Sequence, residues 1–147
     1  MKYVVDTCVF NKLVTGELRP TDLPSDGRFV ATHVQIDELN ATADGERRAR
    51  LFLMLSVLAP VLVPTESFLL DFSRMDHATL GSGRVFQSVR TALDSLNHGK
   101  ANNLHDALIA EVAILNDFTL LTSDRDLYRV ATQHGAKTQL LSASHMP

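Results

Sequence analysis

The chain has 147 residues, 45% of them hydrophobic, and this length supports one folded core rather than two. We therefore expect a single domain over residues 1–147. The net charge of −3 and an isoelectric point near 6.0 exclude binding of nucleic acid through an overall positive field, so such contact would need a local basic patch or bridging metal ions. The single cysteine, Cys8, excludes an internal disulfide and gives no paired spacing for zinc.

The apolar segments are too short to place the chain in a membrane. The longest run, Leu51–Val63, is interrupted by Ser56 and Pro60 and falls short of the roughly 20 residues that cross a bilayer. The first residues include Asp6 within their apolar part and lack the pattern of a signal peptide. We expect a cytoplasmic protein without membrane association.

The amino-terminal segment predicts a strand followed by a helix. Lys2–Val5 has the β-branched and aromatic composition of a strand, and the apolar residues Val9, Phe10 and Leu13 then recur at helical spacing. Asp6 therefore lies at the end of the strand. An acid at this position also suits an ordinary helix cap.

A second strand leads into a helix that carries Glu38. Phe29–Ala31 has strand composition, and Thr32 with Gln35 forms a capping-box pattern for the helix that follows. Side chains on a helix lean toward its amino end, so Glu38 can reach back toward the edge where the strand ends. The adjacent Asp37 points elsewhere, because a helix turns by about 100° per residue.

The middle of the chain predicts two more helices and a strand. Glu46–Leu55 is a helix that begins with basic residues, and Val85–Leu96 is amphipathic. Val61–Val63 is a short strand before a proline, whereas the pattern over Leu69–His77 is ambiguous.

The stretch from Asn103 to Leu127 predicts a helix and a strand joined by a short connection. Apolar residues at helical spacing define Asn103–Leu115, and Phe118–Thr122 has the length and composition of a buried strand. A short connection makes the two elements antiparallel, so the start of the helix and the end of the strand share one edge. Asp106 and Asp124 are therefore expected to meet.

Both acids also have ordinary structural explanations. With Asn103 as the helix cap, Asp106 would lie in the first turn, where the helix dipole favours an acid. Ser123 and Asp126 form a plausible capping box for the next helix.

Strands alternate with helices along the whole chain, which predicts an α/β sandwich with a parallel sheet. Four acids would then share one edge of the sheet: Asp6, Glu38, Asp106 and Asp124. Like charges at such distances repel by about 1–3 kcal/mol per pair, and a hard divalent cation compensates this cost. Carboxylate clusters select Mg²⁺ or Mn²⁺, and such sites hydrolyse phosphodiester bonds.

At these residues the chain resembles the PIN-domain nucleases, especially the VapC-type toxins of bacterial and archaeal toxin–antitoxin pairs. The segments that carry the resemblance are Asp6-Thr7, Thr32 with Glu38, Asp106–Ala110 and Leu120–Leu127. The resemblance implies a three-layer α/β/α sandwich with about five parallel strands, the four acids as catalytic metal ligands for Mg²⁺ or Mn²⁺, and endoribonuclease activity. It also implies an RNA substrate and a cognate antitoxin protein, and we expect a homodimer.

Further residues around the acids are assigned by the same resemblance. Three side chains are expected to support the metal-binding acids: Thr7, Thr122 and Asp126. Cys8 departs from the family, in which Asn or Ser often stands two places after the first Asp, and this puts the hydrogen bond of that position in question.

An acidic edge repels phosphate, so RNA must be held by basic residues elsewhere. The candidates are Arg47, Arg48, Arg50 and Lys100. For the arginines, the ordinary alternative is a solvated helix surface.

Two other readings stay open. A PIN-domain nuclease that processes RNA outside a toxin–antitoxin pair would have the same acids. A catalytically silent phosphate-switch module, such as a receiver domain, also has acids at strand ends, but it should show paired acids at the first strand and a lysine ending the last. Here Asp6 stands alone, and Lys137 precedes the predicted last strand, Thr138–Leu141. A haloacid-type phosphatase would need Asp where Cys8 stands.

Overall fold

The computed structural model describes residues 1–65 and 84–142. Five strands form one sheet: Lys2–Val5 (β1), Arg28–Ala31 (β2), Val61–Leu62 (β3), Thr119–Thr122 (β4) and Lys137–Leu140 (β5). The helices of the described residues are Thr7–Thr15 (α1), His33–Asn40 (α2), Gly45–Leu58 (α3), Arg84–Asn97 (α4), Asn103–Asn116 (α5) and Arg125–Gln133 (α6), with a short 3-10 helix at Pro20–Asp22. The ambiguous segment Leu69–His77 lies outside the described residues.

All strand pairs are parallel and the strand order is β3-β2-β1-β4-β5, which confirms the predicted parallel-sheet sandwich. The chain moves to one side from β1 through β3 and then crosses back to β4. Ligands of open α/β sheets bind at the carboxyl edge where the strand order reverses, here between β1 and β4. The order also differs from the 2-1-3-4-5 arrangement of flavodoxin-like folds, which receiver domains share.

Helices cover both faces of the sheet. Side chains of successive strand residues point to opposite faces, so neighbouring residues of one strand pack against different helices. Val4 and Leu120 contact a cluster formed by α4, α5 and α6. Val5 and Leu121 contact a second cluster, formed mainly by α1 and α3. Right-handed crossovers produce this division, since the chain moves in opposite directions across the two halves of the sheet.

The start of α2 is held by the predicted capping box. Thr32 Oγ1 accepts the N–H of Val34 at 3.1 Å, and Gln35 Oε1 accepts the N–H of Thr32 at 2.8 Å. The amide of the buried Gln35 also donates to the carbonyl of Val5 at 3.0 Å. Gln35 therefore ties α2 to the end of β1 and sets the position of Glu38 one turn later.

Two predicted helix caps are wrong. α5 begins at Asn103 itself, and the side chain of Asn103 bonds to α4, donating to Asp94 at 2.7 Å and to Asn97 at 2.8 Å. α6 is capped by Asp124 and not by Ser123, because Asp124 Oδ1 accepts the backbone N–H of Asp126 at 2.9 Å. The residue before α5, Asn102, makes no side-chain cap hydrogen bond either, and sequence patterns locate the end of a helix only to within one or two residues.

Within residues 1–65 and 84–142, no helix has the length and apolar character needed to cross a membrane.

Candidate functional site

The four predicted acids line one pocket at the carboxyl edge of the sheet. Its volume is about 130 Å³. The lining residues are Asp6, Thr7, Cys8, Asn11, Glu38, Lys100, Asn102, Asp106 and Asp124. The acids come from the end of β1, from α2, from the first turns of α5 and from the end of β4, so the fold brings together residues 118 positions apart in the chain, as the predicted topology requires.

Asp6 lies at the bottom of the pocket and is only 3% exposed. Its backbone N–H donates to the carbonyl of Leu121 at 3.0 Å, which joins the ends of β1 and β4. Its Oδ2 accepts hydrogen bonds from Thr122 Oγ1 at 2.8 Å and from Cys8 Sγ at 3.0 Å. Burial raises the pKa of Asp6 most strongly, those two hydrogen bonds lower it, and the charges of Glu38 and Asp124 raise it further. The Asp6 side chain does not cap α1.

Glu38 reaches the pocket from the second turn of α2. Thr7 Oγ1 donates to Glu38 Oε1 at 3.1 Å, so α1 holds the carboxylate that α2 supplies. His105 Nδ1 lies 3.6 Å from the same oxygen, a distance suited to an ion pair with the protonated imidazole. Contact with Glu38 is the main factor that raises the pKa of His105, and burial opposes it.

Asp106 is the least compensated of the four acids. It is 8% exposed, and its carboxylate accepts no hydrogen bond from the described residues. Burial, followed by the charges of Asp6, Asp124 and Glu38, raises its pKa to about 9, while Lys100 lowers it slightly. A buried carboxyl group among like charges is driven to hold a proton unless a cation is nearby.

Asp124 combines a structural contact with a position on the pocket wall. Its Oδ1 accepts the backbone N–H groups of Asp126 at 2.9 Å and Leu127 at 3.2 Å, which caps α6. Thr122 Oγ1 accepts the Asp124 N–H at 3.0 Å. Within the described part of the chain Asp124 Oδ2 accepts no hydrogen bond, so one oxygen is engaged by the helix and the other is available to the pocket.

The supporting side chains named from the sequence differ in their placement. Thr7 bonds to Glu38 and Thr122 bonds to Asp6, each at a distance typical of a hydrogen bond. The side chain of Asp126 does not line the pocket, and only its backbone N–H reaches Asp124.

Cys8 donates a hydrogen bond to Asp6, although Asn or Ser often stands at this position in the family that the chain resembles. Besides donating to Asp6, its sulfur accepts the N–H of Ser123 at 3.3 Å and lies 3.6 Å from Thr122 Oγ1. Burial, the Asp6 charge and the hydrogen bond to Asp6 raise the pKa of this thiol, so it remains a protonated donor at neutral pH. Cys8 therefore acts as a polar side chain at this position.

The donor chemistry of the pocket fits a hard divalent cation. Asp6, Glu38, Asp106 and Asp124 supply only oxygen ligands, which Mg²⁺ and Mn²⁺ prefer. Among the described residues, no three histidine, cysteine or acidic side chains are already close enough to form a complete ligand set.

The predicted basic residues fall into two groups. Lys100 lines the pocket, and Arg47 Nη2 donates to Asn11 Oδ1 at 2.8 Å, next to it. Arg48 instead donates to the carbonyl of Thr42 at 2.8 Å, and Arg50 pairs with Glu46 at 2.6 Å. These last two contact their own helix or the turn before it, as on a solvated helix surface.

Sequence reasoning missed several polar residues at the site. Asn11 lies four residues after Thr7 on α1, a helical spacing that could have indicated a shared face. Asn102 lines the pocket from the turn before α5. The contact between His105 and Glu38 depends on how α2 packs against α5, and no local pattern signals it.

No protein-family model and no curated protein matches the chain at a significant level. Solved structures of similar fold do exist. A domain of a functionally unknown protein from Methanocaldococcus jannaschii is 21% identical with a TM-score of 0.53, and the match covers 99% of this chain and 94% of that one. VapBC2 from Rickettsia felis, solved bound to a DNA fragment from its promoter, is 17% identical with a TM-score of 0.60, and the match covers 97% and 100%.

VapBC-5 from Mycobacterium tuberculosis, a member of the VapBC family of toxin-antitoxin systems, is 20% identical with a TM-score of 0.48, and the match covers 96% and 98%. At these identities the likeness concerns the fold alone, and it is clear for the first two structures, whose TM-scores exceed 0.5. The chain has the three-layer, PIN-like α/β/α fold that it shares with them.

Proposed function

We propose that this protein is an Mg²⁺- or Mn²⁺-dependent endoribonuclease and the toxin of a toxin–antitoxin pair. The observation that carries the proposal is the convergence of Asp6, Glu38, Asp106 and Asp124 on one pocket at the switch point of the sheet. Asp124 also caps α6, but a helix cap does not require three further acids in the same pocket, and the mutual repulsion of the four destabilises the fold.

The four carboxylates would hold the cation, which when bound supplies an activated water and stabilises the charge on the leaving oxygen. The protein contributes the orientation of its own side chains. Thr122 and Cys8 fix Asp6, and Thr7 fixes one oxygen of Glu38. Asp124 is held by the first turn of α6. Donors around metal-binding side chains typically change affinity or activity by about 10- to 100-fold.

A nucleic-acid substrate suits the remaining lining residues. Lys100 is the one cation among the described residues that line the pocket, and the amides of Asn11 and Asn102 stand beside it. An ammonium and amide groups are suitable donors to phosphate oxygens and to a ribose hydroxyl. The choice of RNA over DNA follows the resemblance to PIN-domain nucleases.

Glu38 and its neighbour Asp37 offer a matched test of the active site. Glu38→Gln should lower RNA cleavage by about 100-fold or more, since even residues that only support a metal ligand cost 10- to 100-fold. Asp37→Asn removes the same charge from the adjacent position on α2, which does not line the pocket, and should leave most of the activity. The measurement is cleavage of a 5′-labelled single-stranded RNA with Mg²⁺, with Mn²⁺ and with chelator. A parent protein that cleaves no RNA with either metal would overturn the enzymatic proposal, and the reverse ranking of the two variants would overturn the placement of Glu38.

The same pair of variants tests the toxin assignment, which is supported by the fold shared with VapBC2. Expression of the parent and of Asp37→Asn in a bacterial host should arrest growth, whereas Glu38→Gln should not. Co-expression of a small protein encoded next to the gene should restore growth. An RNA-processing nuclease outside such a pair would cleave RNA in vitro without arresting growth. The expected homodimer remains a prediction that light scattering of the purified protein can decide.

A further inference from the structure

A basic surface that the sequence did not indicate lies on α6. Arg125 and Arg129 are one helical turn apart and exposed, and neither forms an ion pair with any described residue. Tyr128, three residues after Arg125, is partly exposed on the same side of α6. With Thr132, Gln133 and Leu140, these residues line a groove of about 400 Å³ between α6 and β5.

This groove begins beside the acidic pocket. Arg125 directly follows Asp124, which lines that pocket. Leu140, on the other wall of the groove, is paired in register with Thr122, whose hydroxyl donates to Asp6. Neighbouring strands lie about 4.8 Å apart, so the groove and the pocket share one edge of the sheet.

The arginines of α6 are available to bind a ligand, whereas two of the predicted arginines on α3 are engaged within the protein. Arg48 and Arg50 are bonded to Thr42 and Glu46, whereas Arg125 and Arg129 have no such partners among the described residues. In a chain with a net charge of −3, a local pair of free guanidinium groups beside an acidic pocket is where a phosphate backbone can be held.

We infer that the groove between α6 and β5 binds the single-stranded RNA next to the scissile bond, with Arg125 and Arg129 contacting phosphates and the Tyr128 ring stacking on a base. The inference rests on the proposed function. An acidic peptide could use the same arginines, but an aromatic ring that lines the same groove as two cations favours a ligand that alternates flat bases with phosphates. Stacking needs an unpaired base, so the ligand is single-stranded.

Binding of a fluorescent single-stranded RNA, followed by anisotropy in chelator so that no cleavage occurs, tests the groove directly. Arg125→Gln/Arg129→Gln should weaken binding by about tenfold or more and reduce the slope of log Kd against log salt by about 1.4, the value for two phosphate contacts on a single strand. The matched control is Lys2→Gln/Arg28→Gln, which removes two exposed charges paired in register at the opposite edge of the sheet. The control should change the affinity less than twofold.

Tyr128 separates stacking from charge. Tyr128→Leu should weaken binding by about tenfold, whereas Tyr128→Phe keeps the ring and the affinity. A parent that does not bind RNA, or an arginine variant with the parent's affinity and salt slope, would overturn the inference. The inference would also be overturned if polyglutamate of matched charge bound as tightly as RNA and Tyr128→Leu had no effect on binding. The surface would then fit an acidic polypeptide. If RNA binds through these residues but is never cleaved, the proposed nuclease function is wrong and the groove remains an RNA-binding site. If the parent cleaves RNA and the variants bind RNA as tightly as the parent, the nuclease function stands and the inference about the groove is wrong.

Discussion

The thiol of Cys8 is one of two donors that hold the Asp6 carboxylate. It lies 3.0 Å from Asp6 Oδ2, and the Thr122 hydroxyl lies 2.8 Å from the same oxygen. Since burial and the Asp6 charge raise the pKa of Cys8, the sulfur keeps its proton and can donate it throughout the neutral pH range. Two donors on one oxygen restrict the rotation of Asp6 and aim its other oxygen.

Replacement of Cys8 should separate hydrogen bonding from packing. Cys8→Ser retains a donor of similar size and is expected to keep RNA cleavage within about threefold of the parent. Cys8→Ala removes the donor and should lower cleavage by about tenfold, the lower end of the effect of residues that support a metal ligand. Single-turnover cleavage rates at saturating Mg²⁺ provide the measurement. An alanine variant as active as the parent would show that Thr122 alone orients Asp6.

Sequence reasoning identified the four acids but could not identify all the residues that hold them. Asp6 and Cys8 are two positions apart, yet their partner Thr122 is 114 positions from Cys8. Contacts of this kind depend on strand order, which a single sequence does not display. The hydrogen bond of Cys8 was questioned because Asn or Ser often stands at this position in the family that the chain resembles, whereas here the thiol itself donates to the neighbouring Asp6 carboxylate.

At the scale of single elements, α6 depends on Asp124 for its first turn. Asp124 Oδ1 accepts the N–H groups of Asp126 and Leu127, two of the donors that a helix start leaves without partners. The same side chain is a candidate metal ligand, so one residue joins helix stability to activity.

Substitution by Asn or Ala should separate these two roles of Asp124. Asn caps helices about as well as Asp, so Asp124→Asn should lose cleavage while keeping the thermal stability of the parent. Asp124→Ala should lose cleavage and also about 1 kcal/mol of stability, which corresponds to about 3 °C in Tm for a chain of this length. Thermal melts in chelator and cleavage assays with Mg²⁺ test both. Equal melting temperatures for the two variants would show that the cap contributes little to the fold.

Elements with strong periodicity were predicted well, and their ends were not. The predicted strand Lys2–Val5 agrees in both bounds, and the capping box at Thr32 is present as expected. The caps of α5 and α6 were misplaced because Asn103 and Ser123 suit a cap as well as their neighbours do. For α5, tertiary contacts engage the predicted cap residue instead, since Asn103 bonds to Asp94 and Asn97 on α4.

At the scale of the whole molecule, the strand order creates the site. Asp6 and Asp124 follow β1 and β4, which are far apart in sequence but adjacent in the sheet. The alternation of strands and helices predicts parallel strands, but several orders satisfy it. The position of the acids at one edge was therefore predictable, whereas their neighbours in space, including the groove of α6, required the structure.

The acid cluster should make the metal-free protein less stable as pH rises. The pKa of Asp106 is about 9 in the folded state, against about 3.9 in an unfolded chain. A raised pKa means that the folded state binds the proton more tightly, so stability is highest below the unfolded pKa and falls as pH increases from about 4 to about 9. Asp106→Asn lacks this loss and, in chelator, should match the parent near pH 4 and exceed it by at least about 1 kcal/mol at pH 8.

Mg²⁺ should reverse that ranking, because a cation that binds the folded state alone stabilises it in proportion to its affinity. Millimolar Mg²⁺ at pH 8 is expected to raise the Tm of the parent and to have a smaller effect on Asp106→Asn, which lacks one of the four carboxylates. Melting curves of both proteins, at pH 5 and pH 8 and with chelator or metal, measure the two effects together. If Asp106→Asn melts below the parent at pH 8 in chelator and responds equally to Mg²⁺, the carboxylate of Asp106 stabilises the fold and does not bind metal. If Asp106→Asn melts above the parent at pH 8 in chelator and responds less to Mg²⁺, the fold tolerates an unfavourable charge at α5 because the bound cation compensates it.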